Sequence, residues 1–265
     1  MKVAVIGMGK MGKAIVRRVA QESMNLVAAV DAPKSPLAGK DAGLVSGAES
    51  LGTVISGSDR LAETLKQSKP DVVIDFSSAD GCLANTKVVA KAGINMVIGT
   101  TGFKPEQERE LLDAIKKGGI GAVLSPNMSV GVNIFWELAK EAARRLKGYD
   151  IEIIEAHHRF KKDAPSGTAL KTAQLIAEEQ GKNPDDVIVY GRKGLSPRRE
   201  GEIAIHAIRA GDIVGEHTVI FSTLGERVEL THRAHSRDAF VEGVIRSARF
   251  VQKKKGVYSM KDVLD

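Results

Sequence analysis

A single cysteine, Cys82, stands in 265 residues, so no intramolecular disulfide framework is available and the chain fits a reducing compartment. Aromatic residues make up only 4% of it, with one tryptophan, which leaves too few stacking surfaces for single-stranded nucleic acid despite a formal charge of +6. The basic residues are spread along the chain, with clusters at 159–162, 192–199 and 253–255, and no nucleic-acid partner is expected. No apolar run approaches the length of a membrane span. The run over 2–6 meets a glycine turn far short of a secretion-signal core, so the expectation is a cytoplasmic protein with no membrane partner. Internal repeats and low-complexity tails are absent too. What is present is 43% hydrophobic residues, in a length that supports one large core or two modest ones.

Residues 2–6 form a short β-type run that leads at once into Gly7, Met8, Gly9, Lys10, Met11 and Gly12, followed by a helical stretch over 13–22. This is G-x-G-x-x-G between a strand and a helix, the context that gives the motif its meaning. Glycine permits the tight turn and lets backbone N–H groups approach a pyrophosphate closely. A second strand over 26–30 ends in Asp31, nineteen residues past Gly12, where a carboxylate can accept from the adenosine ribose hydroxyls. The pattern predicts a dinucleotide site. A carboxylate there repels the 2′-phosphate of NADPH, and Ala32 and Pro33 add no cation, so NADH is the favoured cofactor. Lys34, three residues on, leaves NADPH acceptable as well.

Apolar runs at 71–76, 95–98 and 122–124 alternate with helical patterns at 81–92 and 105–117. Strands apolar on both faces and spaced by amphipathic helices predict a parallel sheet covered on both sides, a Rossmann-type doubly wound α/β fold. Two polar turns, Gly99-Thr100-Thr101 and Ser125-Pro126-Asn127-Met128, fall at the carboxyl ends of these strands, the edge where open α/β sheets bind ligands. Beyond Asn127 the pattern changes. A helix over 130–145, a strand over 151–156 and a helix over 168–179 precede three β-type runs at 203–208, 213–222 and 228–232. Consecutive strands without long helices between them predict a mixed or antiparallel sheet in a second domain of α+β type. A helix over 239–253 is expected to return to the first domain, giving a nucleotide-binding domain of 1–127 plus about 238–265 and a substrate domain of 128–237.

The stretch over 155–170, EAHHRFKKDAPSGTAL, carries the chemistry. His157 and His158 exchange protons near neutral pH, while Arg159, Lys161 and Lys162 supply positive charge that does not titrate there. Ser166, Gly167 and Thr168 open a helix whose unpaired N–H groups can hold a carboxylate or phosphate. A histidine pair in a basic loop is, taken alone, a solvated turn. The Asp-Ala-Pro-Ser-Gly-Thr continuation instead argues for a site that holds a small dianion during proton transfer. No zinc site is expected, because neither the histidine pair nor Cys82 has a second ligand pair at suitable spacing. His206, His217, His232 and His235 read as packed or strand-surface residues outside the site.

Taken together, residues 7–12, 97–103, Asn127 with 129–133, 155–168, 209–217, and Thr231-His232 with Ser236-Arg237 resemble the 4-hydroxy-tetrahydrodipicolinate reductase (dihydrodipicolinate reductase) family over nearly the whole chain. The resemblance implies a tetrameric oxidoreductase of lysine and diaminopimelate biosynthesis, whose second domain also serves oligomerisation through the 209–217 strand. It implies His157 as general acid/base and Lys161 as proton donor, with His158, Ser166, Gly167 and Thr168 as contacts to a small dianionic cyclic imine. The two polar turns would hold the nicotinamide end of the cofactor. Many members of the family carry one more residue in the glycine loop and an arginine where Lys10 stands. Two other readings compete: a different NAD(P)-dependent imine or amino-acid dehydrogenase on the same scaffold, and a nucleotide-sensing regulator, which would leave the basic loop without use.

Overall fold

The computed structural model describes residues 1–22 and 24–265. The chain divides into two compact units, Met1–Val130 with Phe240–Asp265, and Gly131–Ala239. The first contains β1 (Lys2–Ile6), α1 (Lys10–Gln21), β2 (Asn25–Asp31), α2 (Ala42–Val45), β3 (Ile55–Gly57), α3 (Leu61–Ser68), β4 (Val72–Asp75), α4 (Ala79–Lys91), β5 (Asn95–Ile98), α5 (Pro105–Gly118) and β6 (Gly121–Leu124). There follow α6 (Val130–Arg145), β7 (Asp150–His157), α7 (Gly167–Glu179), α8 (Pro184–Val187), β8 (Ile188–Tyr190), β9 (Ile203–Arg209), β10 (Gly215–Ser222) and β11 (Arg227–Ala234). The chain ends with α9 (Asp238–Val251), β12 (Gly256–Tyr258) and α10 (Met260–Leu264).

The first unit is a seven-stranded sheet in the order β12-β6-β5-β4-β1-β2-β3, and every pairing in it is parallel. Side chains alternate across a strand, and here both sets are apolar. Val3, Val5, Ile74 and Val97 pack on one face with Ile15, Val16 and Val19 of α1 and with Val244, Ile245 and Ala248 of α9. Ala4, Ile6, Val73, Met96 and Ile98 pack on the other with Leu61, Leu65, Leu83, Val89, Leu111 and Ile115. Two-sided burial is what a covered parallel sheet requires, and each fully buried Ile or Val contributes about 1.5–3 kcal/mol. Strand order reverses at β1, which lies between β4 and β2, so the loop after β1 opens at the switch point of the sheet.

The second unit is a five-stranded sheet in the order β11-β10-β7-β9-β8. It is mixed, since β10 pairs antiparallel with both β7 and β11 while β9 runs parallel to β7 and β8. One face, carrying Ile151, Ile153, Ile203, Ile205, Val219 and Phe221, is buried against Phe135, Trp136 and Ala139 of α6 and Ala173, Ile176 and Ala177 of α7.

The doubly wound sheet and the second mixed-sheet unit expected from the pattern are both present. Two of the boundary differences bear on the loops beside the site. Helix α1 begins at Lys10 rather than at 13, because the Lys13 N–H already donates to the Gly9 carbonyl at 3.0 Å; Met11 and Gly12 thus belong to the first turn. The run at 213–222 becomes a strand only from Gly215, after a turn in which Gly211 takes φ +47°. The elements the pattern did not announce are α2, β3, α3, α8, β8, β12 and α10, all of eight residues or fewer. Among the described residues no helix is long and apolar enough to cross a membrane.

Candidate active site

In the first unit the glycine loop is shaped by three contacts. Gly7 takes φ +90°, and a Cβ there would lie 2.6 Å from the Phe76 carbonyl oxygen. A Cβ on Gly12 would fall 1.9 Å from the Gly7 carbonyl oxygen, so the first turn of α1 can close only over a bare residue. Gly9 is the opposite case. It forms the N-cap of α1 with no side-chain cap, and a Cβ on it would meet nothing within 4 Å. An uncapped helix start facing open space, with a positive dipole end, fits the pyrophosphate of a dinucleotide. Lys10 and Met11 lie in that first turn. Met8 is buried in the core, and only its backbone faces the loop: its N–H donates to Asp31 Oδ1 at 3.2 Å. The second oxygen of Asp31 accepts from Ser35 Oγ at 2.6 Å, which fixes the carboxylate at the end of β2. The residues present fit a nicotinamide dinucleotide.

The two polar turns sit at the ends of β5 and β6. Gly99 is pressed on the Phe76 ring, where a Cβ would come within 2.1 Å, while Thr101 is exposed. Thr100 is buried, and its hydroxyl reaches the Asp75 carboxylate at 3.3 Å and the Ser77 carbonyl at 3.2 Å. Asp75 also accepts from the Ser77 N–H and hydroxyl and from Asn85 Nδ2, and so ties the turns after β4 and β5 together. Ser125 Oγ donates to the Asn127 carbonyl at 2.8 Å, Pro126 is exposed, and Met128 is buried beneath the turn.

In the second unit the residue that organises the site is Glu155. It is fully buried near the end of β7, on the face covered by helices. Oε2 accepts from His157 Nδ1 at 2.6 Å, the Arg209 guanidinium clamps both oxygens at 2.7 and 2.8 Å, and the Ser166 N–H donates to Oε1 at 2.9 Å. Strand register brings these partners together, since His157 lies opposite Arg209 on β9. Burial opposes ionisation of Glu155, but the hydrogen bonds from His157, Arg209 and the Ser166 N–H outweigh it and hold the carboxyl at about 2. The carboxylate on Nδ1 leaves Nε2 as the second nitrogen of the His157 ring. Gly215 borders that nitrogen, where a Cβ would sit 3.1 Å from Nε2.

Ser166 is 1% exposed, and its hydroxyl caps α7 by accepting from the Ala169 N–H at 3.2 Å. Its side chain is therefore part of the frame below the helix end. Gly167 is exposed, and a Cβ on it would meet nothing within 4 Å, so the helix start is open at this residue. Thr168 follows in the first turn. His158 has a buried Nδ1 with no partner among the described residues and packs near Phe160, ring centroids 6.3 Å apart. The Lys161 ammonium is held by both carboxylate oxygens of Asp163 at 2.8 Å. His217, read from the sequence as a packed or strand-surface histidine outside the site, is buried beside His157 and bonded to Ser166. Three residues of this site, Glu155, Arg209 and His217, carried no site role in the sequence reading. Among the described residues no group of three His, Cys, Asp or Glu side chains is placed to hold a metal ion.

A doubly wound unit with a dinucleotide-shaped glycine loop, joined in one chain to a unit bearing a carboxylate-oriented histidine beside an open helix end, defines a nicotinamide-dependent oxidoreductase. Known proteins narrow the class. The family models described as dihydrodipicolinate reductase, N-terminus, and dihydrodipicolinate reductase, C-terminus, match residues 1–128 and 131–264. A 4-hydroxy-tetrahydrodipicolinate reductase of Methanocaldococcus jannaschii is 50% identical, covering 99% of this chain and 97% of the relative. A dipicolinate-bound dihydrodipicolinate reductase from a Paenisporosarcina species superposes with a TM-score of 0.77 at 28% identity, covering 98% of this chain and 97% of that one. An amine dehydrogenase from Mycobacterium smegmatis, at 14% identity and TM-score 0.63 over 98% of this chain and 95% of that one, shares the fold. The chain belongs to the dihydrodipicolinate reductase family.

Proposed function

We propose that this chain reduces 4-hydroxy-tetrahydrodipicolinate to tetrahydrodipicolinate with loss of water, using NAD(P)H, in the biosynthesis of diaminopimelate and lysine. The observation that carries the reading is the Glu155–His157 pair beside the open N-terminus of α7, in a chain half identical over its length to a reductase of that name. Loss of water takes one proton from the ring and the 4-hydroxyl with another. Reduction of the resulting conjugated imine then needs a hydride and a proton. The bound nicotinamide supplies the hydride. His157 Nε2 takes and returns the protons, with Glu155 stabilising the imidazolium formed in between. Lys161, released from Asp163, donates to the ring, and a protonated imine accepts hydride more readily.

The substrate's two carboxylates account for the basic surroundings. The N–H groups of Gly167 and Thr168 receive one of them at the positive end of α7, and His158 supplies a further donor through its unpartnered nitrogen. On the cofactor side the α1 start takes the pyrophosphate and Asp31 the ribose hydroxyls, while Gly99, Thr100, Thr101 and the turn from Ser125 to Met128 hold the nicotinamide end. NADH is favoured by Asp31, with NADPH accepted through Lys34. The protein works in the cytoplasm as a homotetramer. Supporting the latter, the outer face of the five-stranded sheet leaves Ile208 46% exposed.

The test is a coupled assay in which the synthase of the preceding step generates the unstable substrate in solution and nicotinamide absorbance is followed. Substrate-dependent oxidation of NADH supports the reading. No oxidation with this substrate, together with turnover of an acyclic keto acid and ammonia or of another imine, would move the chain to a different dehydrogenase.

A further inference from the structure

His217 stands on β10 directly opposite Glu155 in the antiparallel register and is 4% exposed. Its Nε2 lies 3.0 Å from Ser166 Oγ, the same oxygen that caps α7. Its ring stands edge-on to His157, with centroids 5.2 Å apart and planes at 72°. Its Nδ1 has no hydrogen-bond partner among the described residues. Packing alone does not account for this choice of residue, because a buried imidazole with an unpaired nitrogen costs free energy that an apolar ring of similar size would not. The contacts close on themselves: His157 to Glu155, Glu155 to Ser166, Ser166 to His217, and His217 back to the edge of His157.

The charged and titratable groups around His217 are His157 and Glu155 on β7, Lys161 in the loop after it, and His232, its register partner on β11. Burial first, and then the charge of His157, push the His217 imidazole down to about 3, against the opposing pull of Glu155. The His217 ring, set edge-on to His157, therefore stays neutral at neutral pH.

We infer that His217 is a positioning residue for the reaction: its ring edge sets the orientation of the His157 imidazole, and its Nε2 sets the α7 cap through Ser166, so that the proton-moving nitrogen and the carboxylate-binding helix end share one frame. The inference rests on the reading of His157 as the proton-transfer group. Two variants separate the two contacts. His217→Gln places an amide near the position of Nε2, keeping a partner for Ser166 while removing the ring. His217→Phe keeps the ring and removes the partner.

For His217→Gln the expected result is a kcat lowered about tenfold and a displaced midpoint in the pH profile of kcat, with substrate KM within about twofold of the parent. For His217→Phe the expected result is a substrate KM raised about fivefold or more, with the pH midpoint in place. The Kd for NADH, read by fluorescence titration, should stay at the parent value in both. An NMR titration of the His157 ring should show the same displacement in His217→Gln without any turnover. A parent enzyme inactive on this substrate would thus overturn the proposed reaction, while an undisplaced His157 titration would overturn the positioning role. Two folded variants with parent pH midpoints and parent KM, or a uniform fall in kcat in both that follows lost thermal stability, would also overturn it. Should His217→Phe not fold, Ser166→Ala removes the same bond from the other side, and an unchanged substrate KM there refutes the link to α7.

Discussion

Replacing Glu155 by glutamine keeps the size of the side chain and removes its charge, and the site gives a direct measure of what that costs. The native carboxylate receives His157 Nδ1 at 2.6 Å, two Arg209 N–H groups at 2.7 and 2.8 Å and the Ser166 N–H at 2.9 Å. An amide offers one oxygen, so its NH2 must face at least one of these donors, and the half-buried Arg209 charge is left without its counterion. Removing one partner of a buried pair costs about 3–5 kcal/mol. Acid–base linkage gives a matching figure. The folded-state carboxyl is held at about 2 against an ordinary 4.5, which at about 1.4 kcal/mol per pH unit comes to about 3 kcal/mol. Because the folded value is the lower one, this stability is complete above about pH 4.5 and is lost as the pH falls toward 2. Thermal unfolding followed by circular dichroism should therefore show Glu155→Gln melting roughly 5–10 °C below the parent at pH 7, with the gap closing as the pH approaches 2. Activity should fall further than stability requires. Without a carboxylate on Nδ1 the His157 ring loses its fixed tautomer, and kcat should drop about 10²-fold or more with the Kd for NADH unchanged. A variant with the parent's melting temperature at pH 7 and kcat within twofold, or a melting gap independent of pH, would refute the reasoning.

The other predictions address the residues named for chemistry and binding. His157→Gln should lower kcat about 10²-fold or more while leaving NADH affinity intact, and a parent-like kcat in steady-state assays would remove His157 from the mechanism. Lys161→Ala should do the same to kcat; if instead only substrate KM rises, the lysine serves as an electrostatic contact and not as a donor. Thr168→Val should raise substrate KM with little change in cofactor KM, and equal changes in both would place Thr168 elsewhere. Asp31→Ala should narrow or reverse the ratio of NADH to NADPH kcat/KM, and an enzyme that prefers NADPH with no response to this substitution would exclude Asp31 as the ribose-binding carboxylate.

The nucleotide unit was readable because its signals are local. Gly7, Gly9 and Gly12 stand within one turn between an apolar strand and a helix, and Asp31 ends the next strand, so spacing along the chain already states the geometry. The His157 loop was readable for the same reason, its cations and its helix start lying within a dozen residues. Glu155, Arg209 and His217 were not. Glu155 looks like the polar end of a strand, and its burial becomes visible only when β7 is laid beside β9 and β10, bringing Arg209 and His217 across from positions 54 and 62 residues away. Register of this kind has no local signature, and a lone histidine in an alternating strand such as 215–222 carries the same pattern whether it faces a site or a core. The short elements β3 and α3 escaped for a different reason. Three residues of strand and a helix with only Leu61 and Leu65 buried show too little periodicity to rise above the surrounding loop.

Helix α9 has a consequence for how the protein comes into being. One face of the nucleotide-binding sheet is completed by Val241, Val244, Ile245, Ala248 and Val251 packing against strands made from the first residues of the chain. Synthesis proceeds from the amino end, so Val3, Val5 and Ile74 emerge from the ribosome long before the helix that covers them. The sheet that supports the glycine loop lacks part of its cover on this face until 240–265 has been made. The mixed-sheet unit, continuous over 131–239, is complete by then and can fold first. A chain cut off just after that unit would present an apolar sheet face covered only in part, by α1, so nascent chains arrested there are the form most exposed to aggregation and most in need of a chaperone.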